Sequence, residues 1–170
     1  MNKAKLIAAI IDRLQHDLNN AITAAEQAHL ASTDEQSIAE TQYDTLAIES
    51  AYLAEGQSRR IGEIQQAISQ LQQFIIKPFT ENCAIDVGAC VQLAEQTDTA
   101  LAKNNQVKNN QWYFICPVAG GMSISLEGNS YTIITPQSPV GQNLIGKCLE
   151  DDFHLQLGNK TLNSYIYSMF

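Results

Sequence analysis

Three carboxylates stand close together in one short segment of the chain and could bind a metal ion. Asp34, Glu35 and Glu40 lie in the segment STDEQSIAETQYD (residues 32–44), which contains no lysine or arginine. Mg²⁺ is a hard cation that takes one or two carboxylates together with water and phosphate oxygens. Acids without basic partners on a narrow projection could therefore ligate Mg²⁺, including an ion held partly by another macromolecule in two-metal phosphodiester chemistry.

The same acids could instead belong to the start of a helix, and this alternative stays open. Thr33 and Gln36 have the residue types of a capping box, in which two side chains satisfy free amides at a helix start. Asp34 and Glu35 would then lie in the first helical turn, where the helix dipole favours carboxylates. In this interpretation the acids stabilise the helix and need no metal.

Two heptad seams, one on each side of the acidic segment, predict the elements that position it. Steps of four and three residues connect the members of the first seam, which are Ile7, Ile11, Leu14, Leu18, Ala21, Ala25 and Ala28. The second seam comprises Leu46, Ser50, Leu53, Gln57, Arg60, Ile64, Ala67, Leu71 and Phe74, with Ile61, Ile68 and Ile75 beside it. We expect an antiparallel hairpin of two long helices over residues 1–77, with a wide apolar base and a narrow polar tip.

The chain changes character near Lys77 and Pro78, where we expect a domain boundary. Proline is absent before this point, whereas short runs rich in β-branched and aromatic residues follow it. The predicted strands are Ile85–Leu93, Gln111–Cys116, Met122–Leu126, Tyr131–Thr135, Phe153–Leu157 and Leu162–Met169. Residues 83–170 are therefore expected to form a small antiparallel sheet, which makes the whole chain an α+β protein.

One short helix is expected to pack against this sheet. Pro139–Lys147 is too short and too rich in glycine for a long helix, but it suits about two helical turns. Ser138 is the predicted N-cap, and Gly146 lies near the predicted C-terminus. Leu144 and Ile145 are expected in the core.

The charge of the chain limits the partners that it can bind. The net charge is −8, which argues against nonspecific binding to nucleic acid but is compatible with a basic protein surface. The first residues lack the pattern of a signal peptide, and no run approaches the roughly 18 apolar residues of a membrane helix. We expect a cytoplasmic protein without membrane association.

The cysteines offer little support for catalysis or for a zinc site. None of the four belongs to a CxxC pair, and we expect them to be reduced and mostly packed in the core. A Cys–His pair drawn from Cys116, Cys148 and His154 is a weaker alternative. The four cysteines are Cys83, Cys90, Cys116 and Cys148.

Two stretches of the chain resemble the Gre transcription elongation factors. One stretch is AETQYDTLAIESAYLAEGQSRRIGEIQQAI (residues 39–68), and the other is ITPQSPVGQNLIGKCLEDD (residues 134–152). In the Gre family the second motif reads like SPxGxxLxGKxxGD and belongs to an FKBP-like C-terminal domain. The resemblance covers essentially the whole chain and implies a coiled-coil hairpin over residues 1–77 and an FKBP-like domain over residues 83–170.

The resemblance implies a cofactor of bacterial RNA polymerase that has no catalysis of its own. The C-terminal domain would dock at the rim of the secondary channel, and the coiled coil would enter it. Acids at the tip would help hold a catalytic Mg²⁺ while the polymerase cleaves backtracked RNA. A monomer would contact nascent RNA only within this complex. The implied cleavage residues are Asp34, Glu35 and Glu40, of which Glu40 and Asp34 would be metal ligands, and the implied partner-binding residues are Tyr43, Asp44, Ser138, Pro139, Gly141 and Lys147.

The tip departs from the family pattern G-D-x-x-E-N-A-E-Y. When the sequences are aligned on Tyr43, Gln36 takes the Asp position and Ala39 takes the Glu position. A gap of one residue brings Glu40 to the Glu position, but Ser37 then takes the Asp position. Stimulation of cleavage therefore has an alternative, which is a non-cleaving modulator of the same channel.

Two further functions stay open because neither requires metal-binding acids at the tip. The first is prolyl isomerisation by the C-terminal domain, which rests on fold analogy alone. The second is an acidic interaction module with a protruding hairpin and an unknown protein partner.

Overall fold

The computed structural model of the chain describes residues 2–33, 45–80, 83–95, 111–158 and 160–170. In chain order the elements are α1 (Lys3–Thr33), α2 (Thr45–Gln72), β1 (Cys90–Glu95), β2 (Gln111–Ile115), β3 (Ser123–Leu126), β4 (Asn129–Ile134), α3 (Pro139–Leu144), β5 (Asp152–Leu157) and β6 (Lys160–Met169). Two long helices followed by a sheet with one short helix confirm the predicted α+β class. Within these ranges, no helix combines the length and the apolar character that crossing a membrane requires.

The chain forms two compact units. The helical unit comprises Ile7–Phe74, and the sheet unit comprises Met1–Leu6 together with Ile75–Phe170. The first turn of α1 therefore groups with the sheet, whereas the sequence places it in the hairpin.

The buried residues of the helical unit lie mainly along the predicted seams. They are Ile7, Ile10, Leu14, Ala21 and Ala28 of α1 and Ile64, Ile68 and Leu71 of α2. Each large aliphatic side chain that is removed from water contributes about 1.5–3 kcal/mol, so packing stabilises both helices more than intrinsic propensity does. Where the burial of α2 is described (residues 52, 53 and 55–72), the buried positions lie between Ile64 and Leu71.

The connection between the two helices favours the predicted antiparallel arrangement. Eleven residues (34–44) separate α1 from α2. The 31-residue α1 is about 46 Å long at about 1.5 Å per residue. A connection this short suits two helices of one compact unit that run in opposite directions.

The seam prediction for α2 is wrong at three positions. Leu53 is 55 % exposed and Arg60 is also exposed, although the heptad spacing places both in the seam. Ile75 is 79 % exposed because α2 ends at Gln72, so the helical period no longer applies to it. The apolar interior of the helical unit is therefore narrower than the heptad pattern predicts.

The sheet has six strands in the order β3-β4-β2-β1-β6-β5. Four of its five pairings are antiparallel, as predicted. The pairing of β2 with β4 is parallel, from Gln111 opposite Ser130 to Ile115 opposite Ile134. The sheet is therefore mixed, whereas the sequence predicts an antiparallel sheet. The parallel pairing arises because β3 forms the edge of the sheet and β4 lies between β3 and β2.

The core of the sheet unit lies beneath α3 and the segment that precedes β1. Its fully buried side chains include Ile85, Ile115, Leu144, Phe153 and Ile166. The predicted strand Ile85–Leu93 begins only at Cys90. Residues 86–89 form a turn instead, in which the Ala89 amide donates to the Asp86 carbonyl at 3.0 Å and Gly88 has a φ of 94°.

Candidate functional site

The motif at Ser138–Lys147 is built around the short helix α3. Ser138 is the N-cap, as predicted, and its hydroxyl oxygen accepts a hydrogen bond from the Gly141 amide at 3.1 Å. The same hydroxyl donates to the Thr135 carbonyl at 2.7 Å. Pro139 occupies the first turn, where its missing amide hydrogen costs nothing because the first amides of a helix have no partner within the helix. The serine and the proline therefore have local roles in starting α3.

Gly141 is required by close packing at the start of α3. The residue is buried, and a Cβ atom added to it would overlap the carbonyl oxygen of Thr135 and lie 3.0 Å from Ser138 Oγ. Any larger residue would push the helix away from the preceding strand. A glycine at this position is what allows the Ser138 cap to form.

The end of the motif is tied to the segment before β1. The Gly146 amide donates to the Ile85 carbonyl at 2.8 Å, and the Ile85 amide donates to the Lys147 carbonyl at 2.8 Å. Gly146 has a φ of 84°, which follows the predicted role of a glycine at the end of a helix. The Lys147 ammonium donates to the Asp152 carbonyl at 2.8 Å, so this side chain has an intramolecular partner.

The exposed residues of the motif differ from the partner-binding residues that the resemblance implies. Leu144 is fully buried, as expected, but Ile145 is 36 % exposed, so its predicted place in the core is wrong. Ile145 caps the C-terminus of α3, and its extended backbone turns the side chain away from the helix face that buries Leu144. Pro139 and Gln142 are exposed on the same short element. The accessible surface of the motif therefore includes Pro139, Gln142 and Ile145.

The predicted tip residues lie outside the described part of the chain. They are Asp34, Glu35, Glu40, Tyr43 and Asp44. In the ranges that the structure does describe, no three His, Cys, Asp or Glu side chains come together in a way that could hold a metal ion. The Mg²⁺ prediction therefore still rests on the oxygen chemistry of the acidic segment itself.

Exposed apolar side chains flank this acidic segment in the chain. Leu30 near the end of α1 is 67 % exposed, and Tyr52 in the first half of α2 is 70 % exposed. Leu53, beside Tyr52 in the chain, is 55 % exposed. Apolar groups of this size on a surface are available for contact with another macromolecule.

The four cysteines are free, as expected. Cys90 and Cys116 are fully buried, and burial raises the pKa of the Cys90 thiol to about 12 and that of Cys116 to about 11. Both are therefore neutral thiols at physiological pH and poor nucleophiles. The ring of His154 faces Asn163, with 3.1 Å between Nδ1 and Oδ1, so its resolved partner is an amide.

No protein-family model and no curated protein sequence matches the chain. Solved structures of Gfh1, a Gre-factor homologue, are similar to it. The crystal structure of GreA factor homolog 1 (Gfh1) of Thermus thermophilus is 14 % identical with a TM-score of 0.35, and the match covers 95 % of both chains. A second structure of the transcription factor Gfh1 is 15 % identical with a TM-score of 0.34 and covers 95 % of this chain and 93 % of that one. Gfh1 of Thermus aquaticus is 20 % identical with a TM-score of 0.32 and covers 95 % of this chain and 94 % of that one. At these identities and TM-scores, the likeness by itself assigns no function to this chain.

Proposed function

We propose that the protein is a Gre-type transcription elongation factor that binds bacterial RNA polymerase and has no catalytic activity of its own. The helical unit would enter the secondary channel of the polymerase, and the sheet unit would dock outside it through the exposed part of the α3 motif. The order of motifs in the chain supports this proposal, since the helical pair precedes the SPVGQNLIGK motif as the resemblance requires.

The observation that carries the proposal is the exposure of three large apolar side chains on the two helices near the acidic segment. Leu30 is 67 % exposed, Tyr52 is 70 % exposed and Leu53 is 55 % exposed, whereas Leu14 and Leu71 are buried. Exposed apolar groups on a helical pair suit contact with a partner.

The acids of residues 34–40 would act at the far end of this arm. Carboxylate oxygens fit Mg²⁺, and Glu40 with Asp34 or Glu35 would complete the coordination of an ion that the polymerase holds in part. The bound Mg²⁺ would supply charge stabilisation for phosphodiester cleavage of the backtracked RNA. Contact with nascent RNA would occur only within this complex.

The spacing of the acids favours a second candidate, which is a modulator that occupies the channel without stimulating cleavage. Gln36 and Ala39 stand where the family pattern has its two acids when the alignment has no gap. An amide and a methyl group cannot provide a pair of anionic ligands for Mg²⁺. This candidate predicts the same docking but no gain in cleavage.

The two candidates are separated by a transcript-cleavage assay on a stalled, backtracked bacterial elongation complex. The purified protein is added with Mg²⁺, alone or together with a standard Gre factor. Stimulated cleavage that is lost in Glu40→Gln supports the first candidate. Inhibition of the standard Gre factor without cleavage supports the second candidate.

The matched control is Glu63→Gln, which removes one exposed acid from α2 at a distance from the acidic segment. This variant is expected to behave like the native protein in both arms of the assay. If the native protein neither stimulates cleavage nor competes with the Gre factor, the proposal fails. If Glu40→Gln retains full stimulation, the metal-binding role of Glu40 is wrong.

A further inference from the structure

An open cavity of about 580 Å³ lies at the surface of the sheet unit, at the start of α1. It is lined by the first residues of the chain, by the segment that follows α2 and by residue 170. The lining residues are Asn2, Lys3, Ala4, Ile76, Lys77, Pro78, Phe79 and Phe170. The volume falls within the range of about 300–1,000 Å³ that is usual for small-molecule sites.

Lys3 provides this cavity with a buried cation. The residue is only 9 % exposed, although lysine is rarely buried unless its charge is paired. Its ammonium donates to the Lys77 carbonyl at 3.1 Å and lies 4.5 Å from the ring centroid of Phe79 and 5.6 Å from that of Phe170. One carbonyl and two ring faces therefore surround a group that can donate three hydrogen bonds.

No carboxylate of the described residues lies within ion-pairing distance of Lys3. The ion pairs of this unit join Lys5 to Glu127 and Lys77 to Asp86 instead. The titratable group that interacts electrostatically with Lys3 is Cys90, and its pKa of about 12 keeps that thiol neutral at physiological pH. Burial lowers the pKa of Lys3, because it disfavours the charged form. A buried charge of this kind is stabilised by a bound anion.

Apart from Asn2, the rest of the lining is mostly apolar, with a second positive charge near its edge. Ile76 is 41 % exposed although it is a large aliphatic residue, and Pro78 and Phe79 continue the apolar lining. Lys77 also lines the cavity, and its ammonium lies 3.5 Å from Asp86 Oδ2 with most of its side chain in water. The first amides of α1 are capped within the chain, since the Ala4 and Lys5 amides donate to Asn2 Oδ1 at 3.0 and 3.3 Å. A ligand that fits has one anionic group at Lys3 and an apolar body against Ile76 and Pro78.

We propose that this cavity binds an amphiphilic carboxylate, with the carboxylate group paired to the Lys3 ammonium and an aliphatic body along Ile76, Pro78 and Phe79. The lining shares no residue with the acidic segment or the α3 motif, so the proposal stands or falls independently of the proposed function. Two sources share the required chemistry, namely a small free carboxylic acid and the carboxyl terminus of an apolar peptide.

The first test is a calorimetric titration of the full chain with octanoate and, in parallel, with octanol. Octanoate is expected to bind saturably, and octanol to bind about tenfold or more weakly, because it keeps the apolar body but loses the charge-assisted hydrogen bond. Lys3→Met keeps the length of the side chain and removes the charge, so it should weaken octanoate binding by about tenfold or more. Lys3→Arg should restore most of the affinity.

Two controls separate binding from folding. Lys5→Met removes a neighbouring exposed lysine that does not line the cavity, and it should leave octanoate binding unchanged. Ile76→Asp places a negative charge in the lining and should weaken binding, whereas Ile75→Asp changes an adjacent residue outside the lining and should not. Each variant is checked for native fluorescence of Trp112 before titration.

The source of the ligand is distinguished with the peptide acetyl-Ala-Ala-Leu as the free acid and as the amide. Tighter binding of the peptide acid than of octanoate identifies a peptide terminus, and the reverse order identifies a small acid. The proposal is overturned if octanoate does not bind, if octanol binds as tightly as octanoate, or if Lys3→Met binds octanoate as tightly as the native chain.

Discussion

At the scale of single residues, the Ser138 hydroxyl forms two hydrogen bonds within its own helix start. Gly141 is packed against Thr135, and the Lys147 ammonium donates to the Asp152 carbonyl. Three residues that the sequence assigns to partner binding thus also hold α3 in place. A partner that recognises this motif would find Pro139, Gln142 and Ile145 more accessible.

The packing of Gly141 is tested by Gly141→Ala beside Gly56→Ala. The first change forces a Cβ against the Thr135 carbonyl and should lower the free energy of unfolding of the sheet unit by about 1–3 kcal/mol. Gly56 lies within α2 with open space around it, so alanine there should stabilise the helical unit by about 0.5–1 kcal/mol. Urea denaturation measures both effects, with Trp112 fluorescence for the sheet unit and circular dichroism for the helices. Equal effects of the two substitutions would contradict the packing described at α3.

The buried thiols should make the sheet unit less stable in alkali. The pKa values of Cys90 and Cys116 are about 12 and about 11 in the folded chain, against an ordinary value of 9.0. Above about pH 9 the unfolded chain loses these protons first, so unfolding releases protons and the free energy of unfolding falls as the pH rises. Each thiol lowers the free energy of unfolding by up to about 1.4 kcal/mol for each pH unit above about pH 9. Lys3 has the opposite effect, because its pKa in the folded chain is lower than its ordinary value of 10.5. Below pH 10.5 the unfolded chain binds this proton more tightly, so Lys3 offsets part of the fall in the free energy of unfolding.

This pH dependence is measured by urea denaturation at several values between about pH 8 and pH 10.5, followed through Trp112. Cys116→Ala should show a shallower fall than the native chain, because one of the two thiols is gone. A free energy of unfolding that stays level or rises over this range would contradict the burial of these thiols.

At the scale of elements, the two long helices follow heptad spacing only where a partner helix covers it. Leu14 and Leu53 both occupy predicted seam positions, yet Leu14 is 6 % exposed and Leu53 is 55 % exposed. Periodicity determines which face of a helix is apolar, whereas burial of a side chain also requires another surface packed against that part of the helix. Towards the connection the α1 side of the seam consists of alanines, at residues 21, 25 and 28, which are small.

The difference between these two leucines gives a prediction for the helical unit. Leu14→Ala should lower its free energy of unfolding by about 2–5 kcal/mol, since it leaves a cavity in the seam. Leu53→Ala should change it by no more than about 0.5 kcal/mol. Urea denaturation followed by circular dichroism at the helical band compares the two variants directly. A large loss in Leu53→Ala would mean that its side chain packs in solution.

At the scale of the whole molecule, the chain combines a long helical pair, a mixed sheet and a net charge of −8. The charge favours a basic protein surface as the place of docking and disfavours bare nucleic acid. The docking face of the sheet unit is expected around α3, where apolar and polar side chains of the motif are exposed together.

The position of this docking face is tested with two substitutions of similar exposure. Ile145 is 36 % exposed beside α3, and Tyr167 is 40 % exposed on β6. If the proposed docking holds, Ile145→Glu should weaken binding to RNA polymerase by about tenfold or more, because it would place a charge in the proposed interface, whereas Tyr167→Glu should leave binding unchanged. Surface plasmon resonance with immobilised polymerase measures both. The α3 face is the wrong choice if only Tyr167→Glu weakens binding.

The sequence by itself determined the local features of this protein. Heptad spacing predicted both long helices, and the types of Ser138, Pro139 and Gly146 predicted the start and end of α3. These predictions succeed because helix periodicity and capping depend on residues within one or two turns of each other. The acidic segment at residues 34–44 remains a prediction of the sequence alone.

Only the tertiary structure decided which residues meet across long separations in the chain. The parallel pairing of β2 with β4 depends on the position of β3, which lies between them in the sequence but forms the edge of the sheet. The cavity around Lys3 is formed by residues 3, 76–79 and 170, whose distance in sequence hides their proximity. The physical reason is the same in both cases. Strand order and the burial of a charge are set by the packing of the whole unit, and no local pattern of residues encodes them.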